Sequence, residues 1–140
     1  MQNAILIDTS ALVAILSPQD HYHQICLDTL KTIKPPLLTT WAVITETLWL
    51  VRHNHKAIQS LFKMIEGGLV QIDPLSDNAI SWLDQFMLKY HDMGVQIADA
   101  SLCYLAETYD LTVVFTLDRK DFNIYKIKNN TAFKIIPFEI

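Results

Sequence analysis

Four carboxylates stand where carboxylates are costly. Asp8 closes the run "AILID", Glu46 lies within "WAVITETLWLV", Asp99 within "GVQIADASLCYLAE", and Asp118 follows "VVFTL". An ionised carboxylate in apolar surroundings is unfavourable unless something compensates it. On a helix, Glu46 would be flanked one turn away by Ala42, Val43, Trp49 and Leu50, and Asp99 by Val95, Gln96, Leu102 and Cys103. Each acid taken singly has an ordinary reading. Asp8 and Asp118 fit turns or caps, Asp99 a first-turn acid facing the helix dipole, and Glu46 a partner for a buried arginine. The chain, however, has only two arginines, Arg52 and Arg119. They cannot neutralise four acids. Should the four converge, repulsion would raise their pKa values unless a cation lay among them. A ligand set of oxygens alone suits Mg²⁺ or Mn²⁺. The expectation is a divalent ion shared by Asp8, Glu46, Asp99 and Asp118.

The elements that would position these acids follow from pattern. Short apolar runs at Ala4–Ile7, Leu37–Thr39, Leu69–Ile72, Thr112–Thr116 and Phe133–Ile136 read as strands. Helical spacing covers roughly Ala11–Leu16 (capped by Thr9 or Ser10), His21–Lys34, Thr40 or Trp41 to about His53, His55–Glu66, Ser76–Tyr90 (Ser76 as N-cap) and Ile97–Tyr109. Strands and helices alternate, and the strands are continuously apolar. That pattern predicts an α/β fold with a central parallel sheet flanked by helices in three layers. In such sheets, sites form at the carboxyl ends of the strands, and Asp8 and Asp118 fall there.

Composition narrows the function classes. The chain has 140 residues, about half of them apolar (51%), and a mean hydropathy of +0.20. That is enough for one domain with a real core, and it suggests apolar surface that meets a partner. No apolar run approaches the ~18 residues of a membrane span, and the N-terminus does not read as a signal peptide. Cys26 and Cys103 lie in apolar helical patterns and read as reduced core residues of a cytoplasmic protein. A formal net charge of −4 argues against a protein that coats nucleic acid, but not against an enzyme that reaches it through a metal.

Taken together, "LIDTSALVAIL", "TTWAVITETLWLV", "IADASLCYLAE" and "VVFTLDRKDF", in that order and with the closing "FKIIPF", resemble PIN-domain ribonucleases. Within that family the chain is most similar to the VapC-like toxins of type II toxin–antitoxin systems. The resemblance spans nearly the whole chain and implies a single PIN-like (Rossmann-like) domain over residues 1–140. It implies metal-dependent endonucleolytic cleavage of RNA, a homodimer and an inhibitory antitoxin. By motif, the family's acidic cluster falls on Asp8, Glu46, Asp99 and Asp118, with Asp121 an addition and Ser10 and Thr116 as supporting hydroxyls. Arg119, Lys120 and Lys126 follow the last acids and would form a basic rim for phosphates, as would Lys128 and Lys134. One departure is that "NIYKIKNN" has Lys126 where many relatives have an arginine after the tyrosine.

Other readings compete less well. A stand-alone RNA-processing nuclease shares all of these residues with the toxin reading. A non-catalytic binding module would be expected to have lost acids, and none of the four is missing. A receiver-type phosphoacceptor needs a lysine after the last strand, where "FTLDRK" puts an acid. His21 and His23, like His53 and His55, are two apart and point away from one another on a helix, with no cysteine at zinc spacing. There is no G-x-G-x-x-G for a dinucleotide. Trp41, Trp49 and Trp82 read as core or interface, with the first two walling the pocket around Glu46.

Overall fold

The structure is a computed structural model, and it describes residues 3–139. The single-domain reading also takes in Met1, Gln2 and Ile140, which lie outside the described residues.

Among the described residues, seven strands and seven α-helices follow one another. They are β1 (Ile5–Ile7), α1 (Thr9–Leu16), α2 (His23–Lys31), β2 (Leu37–Thr40), α3 (Trp41–Leu50), α4 (His55–Glu66) and β3 (Val70–Asp73), then α5 (Ala79–Lys89), α6 (Ile97–Tyr109), β4 (Val113–Phe115), α7 (Arg119–Ile124), β5 (Lys126–Ile127), β6 (Thr131–Ala132) and β7 (Lys134–Ile136). Five strands form one parallel sheet in the order β3-β2-β1-β4-β7. Helices flank it, giving the expected three-layer α/β architecture. The small β5–β6 pair is antiparallel.

The central strands are buried on both faces, which explains their unbroken apolar runs. Leu6, Ile7, Leu37, Leu38, Val114 and Phe115 are fully buried. Ile7 pairs with Phe115 across the β1–β4 seam. The chain builds outward from β1 to β3, then returns to place β4 on the other side of β1. The strand order therefore reverses between β1 and β4, and a crevice opens at their carboxyl ends.

Several element ends differ from the sequence pattern for local reasons. The N-cap of α1 is Asp8, not Thr9 or Ser10, and both hydroxyl residues are already helical. Thr40 ends β2 and caps α3, accepting a hydrogen bond from the Val43 N–H. That helix stops at Leu50, short of His53. Helix α2 is trimmed to His23–Lys31. Helix α5 begins at Ala79 after Asn78, so Ser76 is not its cap. Helices α4 and α6 keep their expected bounds. Helix α7 and the β5–β6 pair lie where no element was expected. Two-residue strands and a six-residue helix are too short for periodicity to reveal. Cys26 and Cys103 are buried and free, as expected.

The β1–β4 seam carries the whole arrangement. Phe115→Ala is expected to cost about 3–5 kcal/mol of stability through the cavity it leaves. Urea denaturation monitored by circular dichroism measures it, and a loss below about 1 kcal/mol would mean the seam repacks freely.

Candidate active site

The crevice at the β1–β4 switch is a cavity of about 410 Å³. Asp8, Glu46, Asp99 and Asp118 all line it, so the four acids singled out by context do converge. Asp20 and Asp121 join them. Among the described residues, no lysine or arginine lines this cavity.

Each acid is delivered by a different device. Asp8 leaves the end of β1, its N–H bonded to the Phe115 carbonyl at 3.0 Å. Its side chain is only 4% exposed. Thr116 donates to Asp8 Oδ2 at 2.8 Å, and Ser10 donates to the same oxygen at 3.4 Å. The Thr116 hydroxyl in turn accepts the Asp118 N–H at 3.0 Å, and Ser10 Oγ accepts the Leu117 N–H at 2.9 Å. Ser10 and Thr116 therefore occupy the supporting positions expected of them, and they tie the end of β1 to the loop after β4.

Asp118 is the N-cap of α7 and Asp121 lies three residues on. Asp118 Oδ1 accepts the Asp121 N–H at 3.2 Å. The spacing D-x-x-D at a helix start thus brings both carboxylates to one end. Asp99 lies in the first turn of α6, where the positive end of the helix dipole favours a carboxylate. One carboxylate oxygen each from Asp99, Asp118 and Asp121 lie within 4.8 Å of one another. Glu46 faces the cavity from α3. It is half-buried, not enclosed by apolar turns as its sequence context suggested. Leu50, one turn on, shares its face and lines the same cavity.

The electrostatics fit a site that wants a cation. Burial pushes the Asp8 carboxyl up to about 6, against the lowering effect of the Thr116 hydroxyl and the Thr9 N–H, and Glu46 and Asp118 add repulsion. Asp99 rises to about 7, chiefly through burial and then through Asp8, although the Tyr125 hydroxyl lowers it. Asp121 is also raised, by partial desolvation and by Asp118, with Lys120 opposing. The donors are all hard oxygens, the kind that Mg²⁺ and Mn²⁺ take. The Thr9 hydroxyl is buried with no hydrogen-bond partner among the described residues.

Some residues that shape the site were not legible beforehand. Tyr125 is fully buried and donates its hydroxyl to Asp99 Oδ2 at 2.8 Å. Thr40 and Ser101 share a buried hydrogen bond of 2.7 Å that joins α6 to the β2–α3 corner, the two carriers of Asp99 and Glu46. Asp20 arrives from the turn before α2, where its carboxylate accepts the Tyr22 N–H at 2.8 Å. A "PQD" turn gives no hint of this, whereas a hydroxyl at each strand end was a usable signal.

The basic residues expected as a rim stand outside the cavity, with Lys120 close enough to Asp121 to act on its charge. Arg119 turns its guanidinium to the Pro137 carbonyl. The Lys126 ammonium reaches the Asn123 carbonyl at 3.2 Å, and Lys120 is exposed on α7. None of the three lines the acidic cavity. The two tryptophans do not wall it either. Trp41 and Trp49 are 56% and 63% exposed, because α3 turns them outward as it points Glu46 inward. Arg52 lies over the Trp49 ring at 3.9 Å.

The family model for the PIN domain matches residues 5–128. The chain belongs to the PIN domain family. It is 27% identical over 135 residues to Ribonuclease VapC26 of Mycobacterium tuberculosis (strain ATCC 25618 / H37Rv), a match covering 95% of this chain and 100% of that protein. Its fold is similar to the crystal structure of Mycobacterium tuberculosis VapC20, described as a sarcin-ricin loop cleaving toxin. That match has a TM-score of 0.74 and 15% identity, and covers 82% of this chain and 90% of the other. Among the described residues, no helix is long and apolar enough to cross a membrane.

The raised pKa values set a pH dependence. Without metal, the folded chain holds protons on Asp8 and Asp99 that the unfolded chain releases near pH 4. Stability should therefore fall as pH rises from about 4 toward 7. In EDTA at pH 7.5, Asp8→Asn is expected to exceed wild type by on the order of 1–3 kcal/mol, with the gap vanishing below about pH 4. Urea titrations across that range test it. A variant less stable than wild type at neutral pH would make Asp8 a structural anion.

Proposed function

We propose that this chain is a Mg²⁺- or Mn²⁺-dependent endoribonuclease, and the cytoplasmic toxin of a toxin–antitoxin pair. The observation that carries the reading is the convergence of Asp8, Glu46, Asp99, Asp118 and Asp121 on one cavity at the strand switch of a PIN domain. The likeness to Ribonuclease VapC26 over almost the full length of both chains supports the ribonuclease and toxin parts of the reading.

In this reading the carboxylates of Asp99, Asp118 and Asp121 hold the ion, with Asp8 and Glu46 completing the set. When bound, a divalent ion supplies an activated water and neutralises charge on the phosphate. The chain's own residues do the rest. Thr116 and Ser10 hold the Asp8 carboxylate in one orientation. Tyr125 does the same for Asp99. A carboxylate not taken up as a ligand is placed to accept the proton of the attacking water. No side-chain nucleophile is needed, because water attacks phosphorus and the P–O bond to the leaving sugar oxygen breaks. With no lysine or arginine among the described residues lining it, the metal-free cavity repels a phosphate.

Asp99→Asn is expected to reduce Mg²⁺-dependent cleavage of total bacterial RNA at least ~100-fold while the circular dichroism spectrum stays native. Glu46→Gln should weaken Mn²⁺ binding in calorimetric titration and slow cleavage, with partial rescue at high metal concentration. Equal Mn²⁺ affinities would remove Glu46 from the ligand set.

We further propose a homodimer whose apolar surface also receives the antitoxin. Trp41, Trp49 and Leu50 on α3, and Ile80 and Leu88 on α5, are large apolar side chains left exposed. Light scattering at micromolar concentration should give twice the 16.1 kDa of one chain. A strict monomer would refute the dimer.

A further inference from the structure

A second cavity, also about 410 Å³, opens beside the first and has the opposite charge. Lys89 from the end of α5 and Lys126 and Lys128 from the β5–β6 region line it, against one acid, Glu107. Trp82 and Phe86 form an aromatic wall, stacked on one another at 5.0 Å. Three of the chain's eleven cations thus gather in one cleft of an acidic protein.

The two cavities back onto the same aromatic layer. Tyr125 lines the acidic one and Phe86 the basic one, and their rings are 5.6 Å apart. The linkage is also covalent and hydrogen-bonded. Tyr125 donates to Asp99, and the next residue, Lys126, donates its backbone N–H to the Tyr90 hydroxyl at 3.0 Å. The hairpin that carries the lysines is therefore fixed relative to the acids.

We infer that this cleft is a docking subsite for the sugar–phosphate backbone of single-stranded RNA, flanking the phosphate cut in the acidic cavity. The inference rests on the nuclease reading above. An RNA strand brings one negative charge per nucleotide, and the acidic cavity offers cation charge only for the phosphate at its centre. The flanking phosphates need lysines, and this cleft supplies them within one aromatic layer of the acids. Lysine, amide and aromatic side chains together are the usual surface for single strands. Asn129 and Asn130 add amides at the cleft. Lys128 has a competing contact with Asp110 at 3.7 Å, but both groups are largely exposed and such a pair is readily exchanged for a phosphate.

The test compares wild type with Lys89→Gln/Lys128→Gln and, separately, with Glu107→Gln. The substrates are a labelled RNA of about 16 nucleotides around a site that wild type cuts in total bacterial RNA, and the same site trimmed to about four. On the long RNA, the double variant should raise KM about tenfold with kcat retained. It should also lower the slope of log KM against log salt by about 1.4, two phosphate contacts' worth for a single strand. On the short RNA its KM should not move. Glu107→Gln should shift the long-RNA KM the other way, a gain that damage to the fold cannot produce. An unchanged long-RNA KM and salt slope in the double variant overturn the subsite while leaving the nuclease reading intact. So does loss of polyglutamate-peptide binding with RNA kinetics unaltered, which assigns the cleft to an acidic protein partner. Wild-type protein that leaves RNA intact with either metal overturns both readings.

Discussion

The Thr116 hydroxyl is the point on which the rest of the structure depends. It donates to Asp8 and accepts from the Asp118 N–H, so one oxygen joins the end of β1, the loop after β4 and the start of α7. Burial raises the Asp8 carboxyl, and this contact, with the Thr9 N–H, offsets part of that cost. Without it, the two strand ends would have no reason to hold two carboxylates so near one another.

That local bond works because of a global constraint. The parallel sheet reverses its order between β1 and β4, so the side chains leaving those two strands face a common crevice. Helix starts then do the remaining positioning. Asp99 in the first turn of α6, and Asp118 and Asp121 at the start of α7, lie at helix N-termini, where backbone N–H groups favour carboxylates. The fold thus tolerates a cluster of like charges by giving Asp8 a hydroxyl partner and Asp99, Asp118 and Asp121 a helix start. Burial first, and then the remaining repulsion, raise the pKa values of Asp8, Asp99 and Asp121.

A division of charge follows from the same packing. The aromatic layer of Phe86, Tyr90 and Tyr125 separates an acidic cavity from a basic cleft, and it anchors both. Tyr125 is the central member, because its hydroxyl reaches Asp99 while its ring packs against Phe86 and Phe122. A net charge of −4 says nothing of such a separation.

The sequence alone determined the class of fold and singled out four acids that the structure brings to one cavity. Unbroken apolar runs, alternating with helical spacing, are local properties, and they sufficed for a parallel sheet between helices and for α4 and α6 to their ends. Carboxylates in apolar contexts were legible for the same reason, since the cost of burying a charge is written in its neighbours. Tertiary structure decided how the acids are arranged and what joins them. Asp121 comes within reach of Asp99 only where α6 and α7 bring their carboxylates together, and Asp20 arrives from a turn with no periodicity at all. Trp41 and Trp49 face outward, and Lys126 lines a separate cleft from the acids beside it in the chain. Distances between side chains on different elements depend on strand order and on the rotation of each helix about its axis. Neither quantity is a property of a short stretch of sequence, and both are set only when the layers pack.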